Sequence, residues 1–131
     1  GGAYLTVRDE DKENLVPIAE KLQNLGFTLY ATSGTSDILR TNGLAVQTVY
    51  RIAERQHPDA LDLMRKGEVS FIVNVPTISG GAVRDGNMMR RLAVEMNIPF
   101  VTTMSGAEME VAAIKAGMEL EIQPMRLTVN Y

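Results

Sequence analysis

The segment Ser70-Phe71-Ile72-Val73-Asn74-Val75 decides the fold class of this chain. It has the length of one β-strand and is apolar at almost every position, as in a strand that meets no water on either face. A strand buried on both faces is typical of a parallel sheet that helices cover on each side. The segment therefore predicts an α/β fold, in which strands and helices alternate along the chain.

The sequence on either side of this segment shows that alternation. The predicted strands are Ala3–Val7, Phe27–Thr32, Ala45–Tyr50, Ser70–Val75 and Pro99–Thr102. The predicted helices run from about Asn14 to Leu25, from the Ser33–Ser36 turn to Thr41, from Asp59 to Met64, from Asn87 to Met96 and from Gly106 to Ala116. Pro17 sets the first of these starts, because a proline in the first turn breaks no hydrogen bond. Right-handed crossovers then predict a doubly wound sheet of about five parallel strands with helices on both faces.

Length and composition limit the class of protein. The 131 residues suit one domain, with a core over residues 3–116 and a mixed segment, 117–131, that the pattern does not place. With 45% hydrophobic residues the chain is expected to fold, and no apolar run is long enough to span a bilayer. A net charge of −3 argues against a nucleic-acid partner.

The residue types that are rare or missing exclude several kinds of site. The chain has no cysteine and one histidine, which excludes a disulfide framework, a thiolate zinc site and a site of two or three imidazoles. We therefore expect no metal site. The lack of cysteine and of a signal-peptide pattern at the start predicts a cytoplasmic protein.

Polar side chains follow every predicted strand. They are Arg8 and Lys12 after the first, Thr32-Ser33-Gly34-Thr35-Ser36 after the second, Arg51 after the third, Asn74 and Thr77 at the end of the fourth, and Thr102-Thr103-Met104-Ser105-Gly106 after the fifth. Ligands of doubly wound sheets bind beyond the carboxyl ends of the strands. Only the first of these edges adds carboxylates close by, so the collection predicts a pocket for an anion, either a phosphate or a carboxylate.

The Thr32–Ser36 segment contributes most to this prediction. A strand, a glycine turn and a helix start direct backbone N–H groups at one point, and the helix dipole adds about half a positive charge there. The hydroxyls of Thr32, Ser33 and Thr35 would supply further donors. The alternative is that Thr35 or Ser36 is a simple N-cap with no ligand.

The other polar positions have equally plain alternatives. Lys12 and Arg51 could be solvated loop residues, and Asn74 could hydrogen-bond only a neighbouring loop. The Thr102–Ser105 segment could serve only to end a strand and cap a helix. Asp85-Gly86 predicts an ordinary turn in a loop over Pro76–Gly86.

The sequence gives little support for catalysis. It has no phosphate-binding Gly-x-x-x-x-Gly-Lys-Thr, no Gly-x-Gly-x-x-Gly and no Gly-x-Ser-x-Gly. His57 lies in a polar loop before Pro58-Asp59, where a surface residue is the expected interpretation. Asp59 and Glu54 are near it in sequence, but nothing in the pattern fixes their geometry, and Asp62 is expected on a solvated face of the short helix. We therefore predict no catalytic residue.

Four motifs, in this order, resemble the methylglyoxal-synthase-like domain, and in particular its version at the carboxyl end of the carbamoyl phosphate synthase large subunit. They are Thr-Val-Arg-Asp-x-Asp-Lys-Glu at Thr6–Glu13, Leu-Gly-Phe-x-Leu-x-Ala-Thr-x-Gly-Thr at Leu25–Thr35, Gly-Glu-Val-x-x-Ile-Val-Asn at Gly67–Asn74 and Arg-Asp-Gly-x-x-x-Arg-Arg at Arg84–Arg91. The resemblance covers about residues 3 to 116. It implies a Rossmann-like sheet that binds an allosteric effector, which is uridylate, inosinate or N-acetylglutamate in different members.

The resemblance also assigns residues. Lys12, Thr32 and Thr35 match phosphate-binding positions, with Ser33 and Gly34 between them, and Asn74 matches the asparagine after the fourth strand. Arg51 stands where the nucleotide-responsive versions have lysine and where the acetylglutamate type has tryptophan, which favours a phosphate-bearing effector. The family's next threonine falls at Pro76, and Thr77 lies one place along.

The resemblance further implies a larger assembly. The synthase makes carbamoyl phosphate from glutamine, bicarbonate and ATP, for pyrimidine and arginine biosynthesis. The implied partners are the nucleotide effector, the rest of the large subunit and the glutaminase small subunit, with a homo-oligomer as a further possibility. ATP and Mg or Mn would serve the parent enzyme, and we expect no cofactor in this domain.

Two other functions stay open. Methylglyoxal synthase is a lyase that eliminates phosphate from dihydroxyacetone phosphate, but it has Gly-Thr-Thr-Gly where this chain has Ser33-Gly34-Thr35-Ser36, and its enolising aspartate falls near His57 with no matching acid. Proton abstraction needs a positioned base, and the sequence offers none. The third possibility is a structural or oligomerisation module with an empty polar edge.

Overall fold

A computed structural model describes residues 1–78 and 81–129 of the chain, with residues 122–129 as backbone only. The strands in these ranges are β1 (Gly2–Val7), β2 (Thr28–Ala31), β3 (Val46–Thr48), β4 (Phe71–Val75) and β5 (Phe100–Val101). The helices are α1 (Lys12–Asn24), α2 (Ser33–Thr41), α3 (Ala60–Arg65), α4 (Ala82–Met96) and α5 (Met104–Val129). Short 3-10 turns at Asp9–Asp11 and Ile52–Glu54 follow β1 and β3.

All five strands form one parallel sheet in the order β3-β2-β1-β4-β5. β1 lies at the centre, with Tyr4 aligned to Tyr30 of β2 and to Ile72 of β4. The chain builds outward from β1 first on one side and then on the other, so the strand order reverses between β1 and β4. Crevices for ligands open at the carboxyl ends of the strands beside such a reversal.

Helices cover both faces of the sheet, as the alternation of strands and helices predicts. On one face α1, α2 and α5 pack with Leu5, Leu29 and Val73 in the larger apolar cluster. On the other face α3 and α4 pack with Tyr4, Tyr30 and Ile72 in the second cluster. The predicted α/β class and the doubly wound parallel sheet are confirmed. β4 is buried at every position, which explains why its sequence is almost wholly apolar.

The first helix begins earlier than predicted. It starts at Lys12 rather than near Asn14, so that Pro17 lies inside the helix and not in its first turn. Pro17 has no N–H to offer the carbonyl of Glu13, which is the usual cost of such a proline. Both residues are on the exposed side of α1, where water can hydrogen-bond that carbonyl.

Two further boundaries differ from the prediction. Asp85-Gly86 is not a turn: α4 begins at Ala82 and both residues are buried within it, while Ser79 and Gly80 of the predicted loop lie outside the described residues. The last helix begins at Met104 and does not stop at Ala116, but continues to Val129 through a run of strong helix formers at Met118–Glu121. Asn130 and Tyr131 lie outside the described residues. Each helix of the described ranges is too short or too polar to span a bilayer.

Candidate functional site

A cavity of about 300 Å³ opens at the carboxyl ends of β1, β2 and β4, beside the reversal of strand order. This is the lower end of the range for small-molecule sites. All eight residues predicted to bind the ligand line this one cavity: Lys12, Thr32, Ser33, Gly34, Thr35, Arg51, Asn74 and Thr77. The structure thus brings together residues that lie up to 65 positions apart in sequence. Their role in binding stays a prediction.

The first turn of α2 forms one wall of the cavity. Thr32 is the N-cap residue and its side chain makes no capping hydrogen bond, so the alternative that Thr35 or Ser36 is the N-cap is wrong. Thr35 is 2% exposed, and its Oγ1 accepts a hydrogen bond from the Val7 N–H of β1 at 3.4 Å. This contact fixes the turn against the central strand. The N–H groups of Ser33 and Gly34 have no acceptor within the helix and are available to a ligand.

Ser36 holds the same turn from the opposite side. Its Oγ lies 2.9 Å from Thr48 Oγ1 of β3 and donates to the Ser33 carbonyl at 3.1 Å. The residue is fully buried. Thr35 and Ser36 together therefore attach the start of α2 to two strands, and the turn is positioned before any ligand arrives.

Lys12 brings a positive charge directly to this turn. A Cβ built on Gly34 would lie only 2.9 Å from Lys12 Nζ, so a residue without a side chain lets the ammonium approach the α2 backbone. Lys12 Nζ also donates a hydrogen bond to the Asp9 carboxylate. Ammonium and helix N-terminus both attract anions, and here they meet at one point.

Asn74 projects from the end of β4 in a nearly closed environment. It is 5% exposed, and among the residues whose side chains are described none hydrogen-bonds its carboxamide. Among the described side chains, no nitrogen or oxygen atom is both sealed from solvent and without a hydrogen-bond partner. The polar atoms of Asn74 therefore still reach solvent, and its carboxamide is open to hydrogen bonds from inside the cavity that it lines.

Gly86 makes room for Asn74, and sequence reasoning missed this. A Cβ at Gly86 would lie 2.5 Å from Asn74 Nδ2. The glycine in Asp85-Gly86 serves close packing of α4 against the end of β4, and not a turn. The sequence signal was present in the pair, but a glycine after aspartate is the ordinary signature of a turn.

The cavity contains more carboxylates than the sequence predicted. Glu54 and Asp85 line it as well as Asp9, so the expectation that only the first edge adds carboxylates is wrong. Asp85 is 9% exposed, and its Oδ2 accepts the Ala53 N–H at 3.1 Å, which ties the loop after β3 to α4. Arg51 of the same loop pairs with Glu54 at 2.9 Å.

Charges in the lining are balanced rather than uniformly positive. Three cations, Arg8, Lys12 and Arg51, face the three carboxylates named above. Arg8 is held by Asp11 at 2.7 Å, and that hydrogen bond raises the pKa of its guanidinium. Burial, with help from Asp85, raises the pKa of Tyr4 far above the usual range, so its hydroxyl keeps its proton at neutral pH.

The prediction that residues after the fifth strand contribute to the pocket is wrong. None of the residues from Thr102 to Gly106 lines the cavity, because β5 is the outer strand beyond β4. Thr103 Oγ1 instead accepts the Gly106 N–H at 3.0 Å. This is the plain capping role that was the alternative for this segment.

His57 also lies apart from the cavity. It is exposed, as predicted, and its Nδ1 lies 2.6 Å from Asp62 Oδ2. Asp59 and Asp62 form the capping box that starts α3, which confirms the predicted helix start. The ring nitrogen and the two carboxylates lie within 4.8 Å of one another, but the capping hydrogen bonds account for both acids.

Fold and cavity together define a class: a Rossmann-like α/β domain with a polar pocket at the carboxyl ends of its central strands. Comparison with known proteins makes this specific. Residues 14–102 match the family model of the MGS-like domain, and the chain belongs to that family. The resemblance to the methylglyoxal-synthase-like domain in the sequence motifs is confirmed.

Two similar curated sequences are the same section of the carbamoyl phosphate synthase large chain in two organisms. The chain is 44% identical over 115 residues to the C-terminal section of the carbamoyl phosphate synthase large chain of Methanopyrus kandleri, covering 88% of this chain. It is 44% identical over 117 residues to the corresponding section from Methanocaldococcus jannaschii, also covering 88%. The chain spans about a fifth of the length of these relatives, 21% and 19%.

Solved structures show the same fold at low sequence identity. Methylglyoxal synthase from Elizabethkingia anophelis superimposes with a TM-score of 0.65 at 18% identity, covering 84% of this chain and 76% of that one. ForH superimposes with a TM-score of 0.61 at 16% identity, covering 88% and 80%. These likenesses support the fold alone.

Proposed function

We propose that this protein is the effector-binding domain of a carbamoyl phosphate synthase large chain, and that it binds a nucleoside monophosphate such as uridylate or inosinate. The observation that carries the proposal is the meeting of the ends of β1, β2 and β4 and the loop after β3 in one cavity that suits a phosphate. The similarity to the two C-terminal sections of the synthase supports the assignment to this enzyme.

The phosphate would bind at the start of α2. The N–H groups of Ser33 and Gly34 and the helix dipole favour a dianion there. Lys12 Nζ lies beside the same turn, and the Thr35 hydroxyl can donate while its oxygen accepts from Val7. Arg51 would add charge from the opposite wall, by exchanging its pairing with Glu54 for the ligand.

The remainder of the nucleotide would extend toward β4 and α4. Asn74 offers a carboxamide with both donors and an acceptor, and Thr77 lies on the same wall. Met89 and Tyr4 also line the cavity and would supply apolar contact. A ribose and a base need this combination of hydrogen-bonding groups and apolar contact, whereas a free phosphate does not.

Regulation would follow from unequal affinity. An effector shifts an equilibrium between two states of the synthase only by the difference in its affinity for them. This domain itself would be non-catalytic. The synthesis of carbamoyl phosphate, with its ATP and Mg or Mn and with the glutaminase subunit, would take place elsewhere in a longer enzyme.

A thermal-shift panel tests the proposal. Uridylate, inosinate, N-acetylglutamate and inorganic phosphate are added in turn to the wild-type protein, to Thr35→Ala and to the matched control Thr102→Ala, whose threonine lies outside the cavity. We expect a nucleotide at 100 times its dissociation constant to add about 2.7 kcal/mol to the stability of the wild type and of the control. Thr35→Ala should weaken this, measured against its own ligand-free baseline.

The other outcomes of the panel separate the alternatives. Equal shifts in the wild type and Thr35→Ala would contradict the assigned site. Methylglyoxal formation from dihydroxyacetone phosphate above a buffer blank would favour the lyase. No stabilisation by any compound at millimolar concentration would favour a structural or oligomerisation module.

A further inference from the structure

The anion end of the cavity already holds a carboxylate of the protein itself. Asp9 lies in the 3-10 turn between β1 and α1 and lines the cavity with Lys12. Its Oδ1 accepts a hydrogen bond from Lys12 Nζ, which lies beside Gly34 in the first turn of α2. An acid of the protein therefore pairs with the ammonium at the point where the phosphate is proposed to bind.

Within residues 1–78 and 81–121, the Asp9 side chain hydrogen-bonds and forms an ion pair with Lys12 alone. That side chain is 84% exposed. The two acids that follow it, Glu10 and Asp11, pair instead with Arg8 at 3.5 and 2.7 Å. Separating an exposed ion pair costs little free energy, so the Asp9 carboxylate can leave when another anion arrives.

A second feature of the cavity supports a ligand beyond this pair. Asn74 is 5% exposed and has no hydrogen-bond partner for its carboxamide among the described side chains and backbone. Asp9 does not satisfy it. The Asp9–Lys12 pair therefore neutralises one end of the cavity and leaves the Asn74 carboxamide open to a ligand.

We propose that Asp9 is an internal competitor for the anion site: it occupies Lys12 in the ligand-free protein, and a bound phosphate displaces it. The proposal rests on the anion site of the proposed function. It makes ligand affinity weaker than the donors alone would give, and it couples binding to release of the Asp9 side chain from Lys12. An exchange of ion pairs is a local change of the kind that can bias a larger two-state equilibrium.

Asp9→Asn tests the competition. It removes the charge while keeping the size of the side chain, and Glu10→Gln is the matched control in the same turn. Inorganic phosphate and sulfate are the probes, titrated by calorimetry or by amide chemical shifts. We expect Asp9→Asn to bind both anions about two- to fivefold more tightly than the wild type, and Glu10→Gln to leave the affinity unchanged.

A double-mutant cycle distinguishes competition from simple repulsion. In a Lys12→Met background there is no ammonium for Asp9 to occupy, so Asp9→Asn should no longer tighten binding. Equal tightening in both backgrounds, equal effects of Asp9→Asn and Glu10→Gln, or no tightening at all would overturn the proposal. Anion binding by neither the wild type nor Asp9→Asn would also overturn it, whereas the proposed function is judged separately, on nucleotide binding by the wild type.

Discussion

Two strand-to-helix junctions of this protein have similar sequences but different roles in the structure. The junction between β2 and α2 is Thr32-Ser33-Gly34-Thr35, and the one between β5 and α5 is Thr103-Met104-Ser105-Gly106. Thr103 caps its helix through Oγ1, whereas Thr32 makes no cap hydrogen bond. The first junction lines the cavity and the second does not.

Position in the sheet explains the difference. β2 is next to the central strand β1, so the start of α2 meets Lys12 from the neighbouring helix. β5 is an outer strand, and no strand of the described sheet lies beyond it to supply a second wall. A helix N-terminus becomes an anion site only where other elements bring complementary groups to it, and otherwise its N–H groups are satisfied by an ordinary cap.

The largest expected effect comes from adding a methyl group at each junction. Gly34→Ala places a Cβ 2.9 Å from Lys12 Nζ, and Gly106→Ala places one 2.9 Å from Thr103 Oγ1. Because Lys12 is flexible, Gly34→Ala should fold normally but lose about tenfold or more in phosphate affinity, which corresponds to about 1.4 kcal/mol. Gly106→Ala should keep its affinity. Calorimetric titration of both variants checks this, and equal losses would remove the distinction between the junctions.

The next largest effect is on stability, and here the junction between β5 and α5 is the more sensitive of the two. Thr103→Val removes the hydroxyl that caps α5 and should lower the free energy of unfolding by about 1 kcal/mol. Thr32→Val removes a hydroxyl whose nearest side-chain partner is Thr6 Oγ1 at 3.5 Å, so it should cost less than half as much. Urea denaturation of the two variants measures both values. A larger loss for Thr32→Val would mean that this hydroxyl caps α2 after all.

The fold was predictable because its decisive signals are local. The apolar run of β4 and the alternation of strands and helices follow from hydrophobic periodicity, and glycines with positive φ at Gly26 and Gly43 end α1 and α2 where the sequence indicates. The boundaries that failed depend on tertiary contacts. Asp85-Gly86 has the signature of a turn, but Asp85 accepts a hydrogen bond from the Ala53 N–H, and Gly86 is where α4 packs closely against Asn74.

The sequence was enough to predict which strand ends could form the site, but not how those ends are arranged. Parallel strands place all their carboxyl ends at one edge, which was enough to collect Lys12, Thr35 and Asn74. The strand order could not be derived from the sequence, so the residues after β5 were wrongly included. Asp85 was missed as a lining residue because its sequence neighbourhood indicates a loop, whereas the helix turns it into the cavity.

The smallest expected effect concerns the loop after β3, which carries Arg51 into the cavity and ends in an ion pair outside it. The hydrogen bond to Asp62 raises the pKa of His57 above its usual 6.5, and the Asp59 N–H, followed by His57, lowers the pKa of Asp62 below its usual 3.8. A raised histidine pKa stabilises the folded protein below pH 6.5, and this stabilisation is lost as the pH rises through the raised value. A lowered aspartate pKa stabilises it above pH 3.8, and this stabilisation is lost as the pH falls.

His57→Gln tests both the pH range of this stabilisation and its independence from phosphate binding. The melting temperature of the wild type should exceed that of the variant most near about pH 5, where both groups are charged, and the difference should shrink as the pH rises above the raised pKa of His57. Both side chains reach solvent, so salt should reduce the difference. Phosphate affinity should be the same in the two proteins, because the pair lies outside the cavity lining. If the variant bound phosphate more weakly, the His57–Asp62 pair would be positioning the loop after β3 that carries Arg51. The contribution of that loop to the site would then depend on pH, whereas the contribution of the start of α2 would not.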